Sequence, residues 1–211
     1  MAVATMAIAT QAATITWGNA SGDFLVKDKD GTSFYNGSNG SGVTPVSANL
    51  SVYFINDTYL ASISKDVDDL LAIIAGGGSI SSYASTTLTG NSAIAMTPGV
   101  LNGASFSFTY DDSKPSAPNM ANTGDEFFVL MITKYFEDVS NPTEPTYYYQ
   151  IVTSPDWAST VDVNAGAVGN PSSTFSWANA DATPWQPIPE PLTVGLALAG
   201  VALLIAQRKR K

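Results

Sequence analysis

Four segments in the middle of the chain carry the hydrophobic patterns of β-strands. Residues 105–110 alternate between polar and aromatic side chains, which predicts a strand with one buried face. Residues 50–55 form a second strand pattern. Residues 126–133 are apolar after their first residue, which indicates a central strand covered on both sides or one crossing from core to edge. Residues 146–152 are expected to pair with that strand across a proline-containing loop.

The first half of the chain adds a hairpin and a helix. Residues 24–35 predict a hairpin, because an Asp-Gly pair between two apolar stretches is a favoured turn. A return strand is expected over residues 58–63. The next segment predicts the one soluble helix: Ser64 as its N-cap, acidic residues in its first turn, apolar residues at helical spacing, and glycines at 76–78 as its end.

These elements predict a mainly β fold with two additions. Short strands separated by polar turns are typical of an antiparallel β-sandwich of the jelly-roll or immunoglobulin-like kind, here with one short helix. We expect this ectodomain to cover residues 14–177. Residues 178–188 are rich in proline and predict a spacer that lifts the domain off a membrane. A single transmembrane helix is expected at the C-terminal end.

That helix is predicted by the uncharged apolar run over residues 192–206. A helix that is apolar on all sides requires lipid or a deep core. The run would be roughly 22 Å long as a helix, against about 30 Å of bilayer hydrocarbon, so it spans only if the bilayer thins or its flanks snorkel. The basic residues Arg208, Lys209, Arg210 and Lys211 follow it. The positive-inside rule therefore puts this end in the cytoplasm and the N-terminal body outside.

The tripeptide Pro189, Glu190 and Pro191 directly precedes the apolar run. Each proline fixes its own φ angle, and Pro191 disfavours the helical conformation at Glu190, so the tripeptide is expected to be extended. With the apolar run 192–206 and the basic end 208–211, it resembles the PEP-CTERM sorting signal of Gram-negative bacteria. The resemblance covers only this end of the chain. It implies that the protein is the substrate of an exosortase-like membrane enzyme that cleaves near the tripeptide. The alternative is an ordinary membrane anchor behind a proline-rich linker.

The other end of the chain also indicates export. Residues 1–13 are small and moderately apolar and end in a small-residue cleavage pattern, but the basic start of a signal peptide is missing. We interpret them as the remnant of a signal peptide whose start lies upstream. The alternative, an N-terminal strand of the domain, fits residues 14–17 better than it fits residues 1–13. The protein is thus expected to be exported and anchored in the inner membrane. After processing it should reach the cell surface or the extracellular space.

Composition excludes several classes of function. The chain has no histidine, no cysteine and a formal net charge of −9. Between the two predicted signals five lysines stand against seventeen carboxylates, so binding of nucleic-acid phosphates is not expected. Without His or Cys the common nucleophile and base pairs cannot form, and Asp111-Asp112 and Asp125-Glu126 are interpreted as turn and loop-end residues. We therefore expect no enzyme activity, no catalytic residue, no cofactor and no metal site.

Aromatic residues supply the remaining functional pattern. In a strand over Tyr147, Tyr148 and Tyr149 the middle ring points to one face and its neighbours to the other. Tyr148, Trp157 and Trp177 are candidates for stacking on sugar rings at a cell surface. The alternative is that these rings fill the core and its ends.

The sequence therefore favours an exported surface or extracellular-matrix protein whose C-terminus is a sorting signal. Its expected partners are an exosortase-like processing enzyme, the membrane and an exopolysaccharide. A glycan-binding adhesin-type module is the first alternative. A secreted hydrolase is the second, and it would require a cleft with two facing carboxylates.

Overall fold

The computed structural model describes residues 11–17, 24–35, 44–45, 50–90, 93–94, 97–101, 104–110, 125–136, 145–160, 172–174 and 177–188. Over these residues the chain is mainly antiparallel β-sheet with few helices. The strands are β1 (Gln11–Trp17), β2 (Phe34–Tyr35), β3 (Thr44–Pro45), β4 (Leu50–Asn56), β5 (Ala84–Thr89), β6 (Ala104–Tyr110), β7 (Phe127–Phe136), β8 (Pro145–Thr153), β9 (Ser172–Thr174), β10 (Asp181–Ala182) and β11 (Gln186–Pro187). The helices are α1 (Asp57–Ser62), α2 (Val67–Ala75) and α3 (Pro155–Thr160).

The larger sheet has the most apolar strand at its centre. Its order is β10-β8-β7-β4-β5, β11 also pairs with β8, and all of these pairings are antiparallel. β7 lies between β4 and β8, and residues 127–132 are buried. This confirms the central strand predicted over 126–133, covered on both sides, and its pairing with the strand predicted over 146–152.

Each face of the larger sheet is covered by its own hydrophobic cluster. The first cluster contains, among others, Phe54, Val129, Val152, Trp157 and Trp177. The second contains, among others, Ile55, Leu60, Leu70, Leu130 and Ile188. Because successive side chains of a strand point to opposite faces, a strand covered on both faces reads as a continuous apolar run.

Three α-helices and a 3-10 helix (Ser81–Tyr83) occur in the described residues where one helix was expected. α2 is the predicted helix, but its N-cap is Asp66, not Ser64. Oδ1 of Asp66 accepts from the backbone N–H of Asp69 at 3.0 Å, and Oδ2 of Asp69 accepts from the N–H of Asp66 at 3.2 Å. This reciprocal capping box satisfies two backbone N–H groups, which explains why the helix begins after Asp66.

The prediction of a strand over 58–63 is wrong, because α1 occupies this segment. The side chain of Asn56 accepts a hydrogen bond from the backbone N–H of Tyr59 at 3.0 Å and so caps a helix immediately after β4. Leu60 is the buried residue of α1 and joins the second cluster. The strands beside β4 are β5 and β7.

The turn predicted within residues 24–35 is confirmed. The backbone N–H of Asp28 donates to the carbonyl of Thr32 at 2.8 Å, and Gly31 has a φ of +81°, which favours glycine. Oδ1 of Asp28 accepts from the N–H groups of Asp30 and Thr32 at 2.9 and 2.8 Å. The carboxylate of Asp28 therefore stabilises the turn.

A three-stranded sheet has the order β6-β1-β9, and β2 and β3 form a separate parallel pair. β1 is antiparallel to β6 and parallel to β9, and β6 confirms the strand predicted over 105–110. β1 begins at Gln11, so the last three residues of the expected signal-peptide remnant 1–13 belong to a strand. Residues 1–10 lie outside the described residues.

The segment expected to be a spacer packs on the edge of the larger sheet. β10 and β11 pair with successive parts of β8. The N–H of Ile188 donates to the carbonyl of Tyr147 at 2.7 Å, and its side chain joins the second cluster. Trp185 packs against the first cluster. Residues 178–188 are therefore part of the fold, because their apolar side chains cover the margins of both clusters.

No helix within the described part of the chain is long and apolar enough to cross a membrane. The apolar run 192–206, Pro189, Glu190, Pro191 and the basic end 208–211 lie outside the described residues.

Candidate functional site

Two of the three aromatic residues expected to stack on sugars are core residues. Trp157 and Trp177 are 0% and 1% exposed, and their ring centroids lie 5.0 Å apart with the ring planes at 70°. α3 carries Trp157, whose ring centroid lies 6.2 Å from that of Phe54 on β4. Because neither tryptophan has a face open to solvent, both are wrong as ligand-stacking candidates, and the core alternative holds for them.

Tyr148 keeps partial access to solvent. The three tyrosines alternate along β8 as predicted: Tyr149 packs against the second cluster, Tyr147 is 37% exposed, and Tyr148 lies on the other face of the strand. The pKa of Lys29 is raised, mainly by its hydrogen bond with Asp30 and in smaller part by nearby groups that include Tyr148. Tyr148 is half-buried, and it does not belong to the lining of the groove described next.

The Gln150 groove is an open depression of about 370 Å³ between residues 24–31 and the segment that carries Pro184 and Trp185. Its walls include Phe24, Lys27, Lys29, Gln150 and Trp185. The volume is within the range of roughly 300–1,000 Å³ typical of small-ligand pockets. The groove thus combines aromatic walls, two lysines, the Asp28 carboxylate and one side-chain amide.

Trp185 is fixed in this groove by two contacts. Its Nε1–H donates to the backbone carbonyl of Lys27 at 2.7 Å. Its ring meets the buried ring of Phe34 edge-on, with centroids 6.3 Å apart and planes at 67°. The ring is half-buried, so one part anchors it to the fold while another lines the groove.

Gln150 supplies the buried polar group of the groove. It is 8% exposed, and its Nε2 donates to the carbonyl of Thr183 at 2.8 Å. Its Oε1 is buried and has no hydrogen-bond partner among the described residues. We did not predict this residue. The signal was a glutamine at an inward position of β8, between apolar neighbours on the same face.

A second depression, the acidic cleft, lies where β4 meets α1 and where β7 begins. It measures about 550 Å³, and both Asp57 and Glu126 line it. The backbone N–H of Asp57 donates to the carbonyl of Glu126 at 2.8 Å, and the N–H of Glu126 donates to Oγ1 of Thr58 at 2.9 Å. These bonds hold the two carboxylate-bearing segments side by side.

Burial and charge act together on Asp57. The pKa of its carboxyl is raised, first by partial burial and second by the negative charge of Glu126. Next to it, the buried Nδ2 of Asn56 donates to Oδ2 of Asp125 at 2.8 Å. The sequence predicted loop-end roles for Asp125 and Glu126. It did not predict Asp57, because only the pairing of β4 with β7 brings these residues together.

Among the residues that the structure describes, no three His, Cys, Asp or Glu side chains are grouped so that they could hold a metal ion. Comparison of the chain with protein-family models, with curated proteins and with solved structures finds no match in any of the three.

Proposed function

We propose that the protein is an exported surface or extracellular-matrix protein whose C-terminal end is a sorting and processing signal. The observation that carries the proposal is the order of three parts at this end: the Pro189, Glu190, Pro191 tripeptide, the apolar run 192–206 and the basic end 208–211. The run anchors the chain, the basic end orients it, and the tripeptide presents one carboxylate in an extended backbone. An exosortase-like membrane enzyme is the proposed partner, with exopolysaccharide as the surroundings of the mature protein.

The described part of the chain supports one detail of this proposal. Ile188 is tied to β8 by its backbone N–H, so Pro189 follows directly after a residue held on the sheet. The processing enzyme would then meet the tripeptide at the margin of a folded domain. We also propose that the larger sheet and the three-stranded sheet pack as the expected sandwich. Cα atoms of β5 and β6, one strand from each sheet, approach within 8 Å, which supports this arrangement.

The test replaces Glu190 with alanine in the full chain and measures the mass of the mature protein in a bacterium with an exosortase-like enzyme. We expect Glu190→Ala to block processing and leave insertion intact, because the apolar run and basic end are unchanged. Glu144→Ala is the matched control, since Glu144 also precedes a proline. It should be processed like the wild type. If both wild type and Glu190→Ala retain Lys211, the signal is a simple anchor.

A secreted hydrolase is the second candidate, because carboxylates from two chain segments line the acidic cleft. Asp57, with its raised pKa, would protonate the leaving oxygen, and Glu126 would activate the attacking water. The test is hydrolysis of a panel of glycosides by the purified chain. Asp57→Asn and Glu126→Gln should each abolish turnover, whereas Asp68→Asn on the surface of α2 should not. Absence of turnover by the wild type would reject this candidate.

A further inference from the structure

We propose that the Gln150 groove binds a sugar ring, with Oε1 of Gln150 accepting a hydrogen bond from a ring hydroxyl and Trp185 packing against the ring. The inference uses only the described domain, so it does not depend on processing at the C-terminal end. It also differs from the aromatic site predicted from the sequence, because two of those rings are buried and the groove contains a different tryptophan.

The first step is the unused acceptor. Only an amide nitrogen can donate to the carbonyl of Thr183, so this bond orients the Gln150 side chain and leaves Oε1 as the acceptor without a partner. A buried acceptor without a hydrogen bond is unfavourable, and native proteins satisfy nearly all such groups. Oε1 has almost no accessible surface in this structure, so a donor in the groove reaches it when the Gln150 side chain turns toward the opening, and the hydrogen bond then removes this cost. A water molecule could also do so, and the experiment below separates the two cases.

The second step concerns the kind of donor. Oδ1 of Asp28 accepts from two backbone N–H groups of the turn, and the carboxylate of Asp30 binds Lys29 at 2.9 Å. Lys27, which lines the groove, makes no ion pair within the described residues. The lining thus carries two lysines against one carboxylate, which disfavours a cationic donor. An uncharged hydroxyl is the donor that fits.

The third step concerns the walls. Trp185 is held by its hydrogen bond to Lys27 and by Phe34, and the Phe24 ring stacks on buried Trp177 with centroids 6.1 Å apart. Rings that are fixed before binding lose little conformational entropy when a ligand packs on them. A pyranose ring offers an apolar C–H face for such rings and hydroxyls at its rim.

The experiment measures binding of neutral pyranose oligosaccharides to the full chain, purified in a detergent without a sugar headgroup. The probes are oligomers of glucose, galactose, mannose and N-acetylglucosamine, with a uronic-acid oligomer as a charged comparison. Titration calorimetry gives affinity, and saturation-transfer NMR identifies the ligand protons that contact the protein. We expect at least one neutral probe to bind and its ring C–H protons to be saturated most strongly.

Two variants test the site. Gln150→Leu keeps a side chain of similar size but removes the acceptor, together with the Nε2 bond to Thr183, so it should weaken binding about tenfold or more, as expected for one buried hydrogen bond. Gln186→Leu is the matched control: the same substitution at an exposed position of β11, where affinity should stay within about twofold. Thermal unfolding shows whether each of the two variants is folded. If Gln150→Leu does not fold, Phe24→Leu replaces it, because it removes one aromatic wall and should also weaken binding.

Three outcomes would overturn the inference. If no probe binds, Oε1 is satisfied by water only. If Gln150→Leu and Phe24→Leu bind as tightly as the wild type, any sugar site lies elsewhere. If Gln186→Leu loses affinity as much as Gln150→Leu, the groove is not the site. Because processing is measured by the mass of the mature chain, failure here and failure of the sorting proposal give different results.

Discussion

Asp57 is the residue at which the structure predicts a measurable pH effect. Its pKa is raised above the ordinary value of 3.8, mainly by burial. The folded state therefore binds this proton more tightly than the unfolded state. Protonated Asp57 therefore adds to the free energy of unfolding. This contribution is complete below the unfolded pKa of about 3.8, declines as the pH rises, and is lost above the raised folded pKa.

Replacing Asp57 with asparagine removes this titration. We expect the thermal midpoint of Asp57→Asn to rise relative to that of the wild type as the pH increases from about 3 to about 7. Any difference in midpoint that does not change with pH has no bearing on this expectation. Thermal unfolding at several pH values measures it. Glu126→Gln should remove only the smaller part of the shift at Asp57, because burial is the larger cause. Parallel pH curves for wild type and Asp57→Asn would contradict the prediction.

The role of Gln150 could not be predicted from the amino-acid sequence. In the sequence it is one of many polar residues in a chain rich in them. Its position matters because β8 carries it to the face shared with Val152, and because the carbonyl of Thr183 takes its amide nitrogen. Both facts depend on residues far along the chain.

β7 is the element on which the larger sheet depends. Val129 is fully buried and lies in register with Phe54 on β4 and Val152 on β8. Val129→Asp would bury a carboxylate without a partner and should cost several kcal/mol, a large share of a typical domain's stability. Chemical denaturation with intrinsic tryptophan fluorescence should show a poorly folded protein, because Trp157 and Trp177 belong to the same cluster.

An exposed strand position provides the comparison for this substitution. Thr89→Asp introduces the same side chain at the end of edge strand β5, where it stays in water. Its effect should be within about 1 kcal/mol. If the denaturation midpoints of Val129→Asp and Thr89→Asp were equal, Val129 on β7 would not be a core residue.

The limits of the folded unit give a prediction for the whole molecule. A chain that ends after Ile188 keeps β10, β11, Trp185 and the buried Ile188, whereas a chain that ends after Trp177 loses all of them. We expect the longer chain to unfold cooperatively and the shorter one to be strongly destabilised, because both clusters would be opened at their margins. Calorimetry of the two truncations measures the difference. Equal thermal midpoints would restore the spacer interpretation of residues 178–188.

The apolar run 192–206 gives the second prediction at this level. An arginine at the centre of the run should raise the free energy of membrane insertion by about 2.5–3.5 kcal/mol. The run is only marginally long, so it cannot tolerate this cost. Ala199→Arg should therefore release the protein from the membrane. Gln207→Arg, placed next to the basic end, should leave it membrane-bound. Recovery of Ala199→Arg in the membrane fraction after carbonate washing would show that residues 192–206 are not the span.

Most local elements could be predicted from the amino-acid sequence alone. The strands predicted over 50–55, 105–110, 126–133 and 146–152, the Asp-Gly turn and helix α2 are all found in the structure. Each of these depends on interactions between near neighbours: the period of the side chains, a turn residue with positive φ, or a cap within one helical turn. The strand over 58–63 failed because its apolar pattern also fits a short helix, and the Asn56 side chain supplied the cap.

Which polar and aromatic residues contact each other depends on the tertiary fold. A strand pattern states that a ring points to one face, but not whether a distant segment covers that face. Trp157 and Trp177 are therefore buried, while Trp185, in a segment that reads as a linker, lines a groove with Gln150. Asp57 and Glu126 likewise share a cleft only because β4 pairs with β7. Such contacts depend on the covering of surfaces by residues remote in sequence, which no local pattern contains.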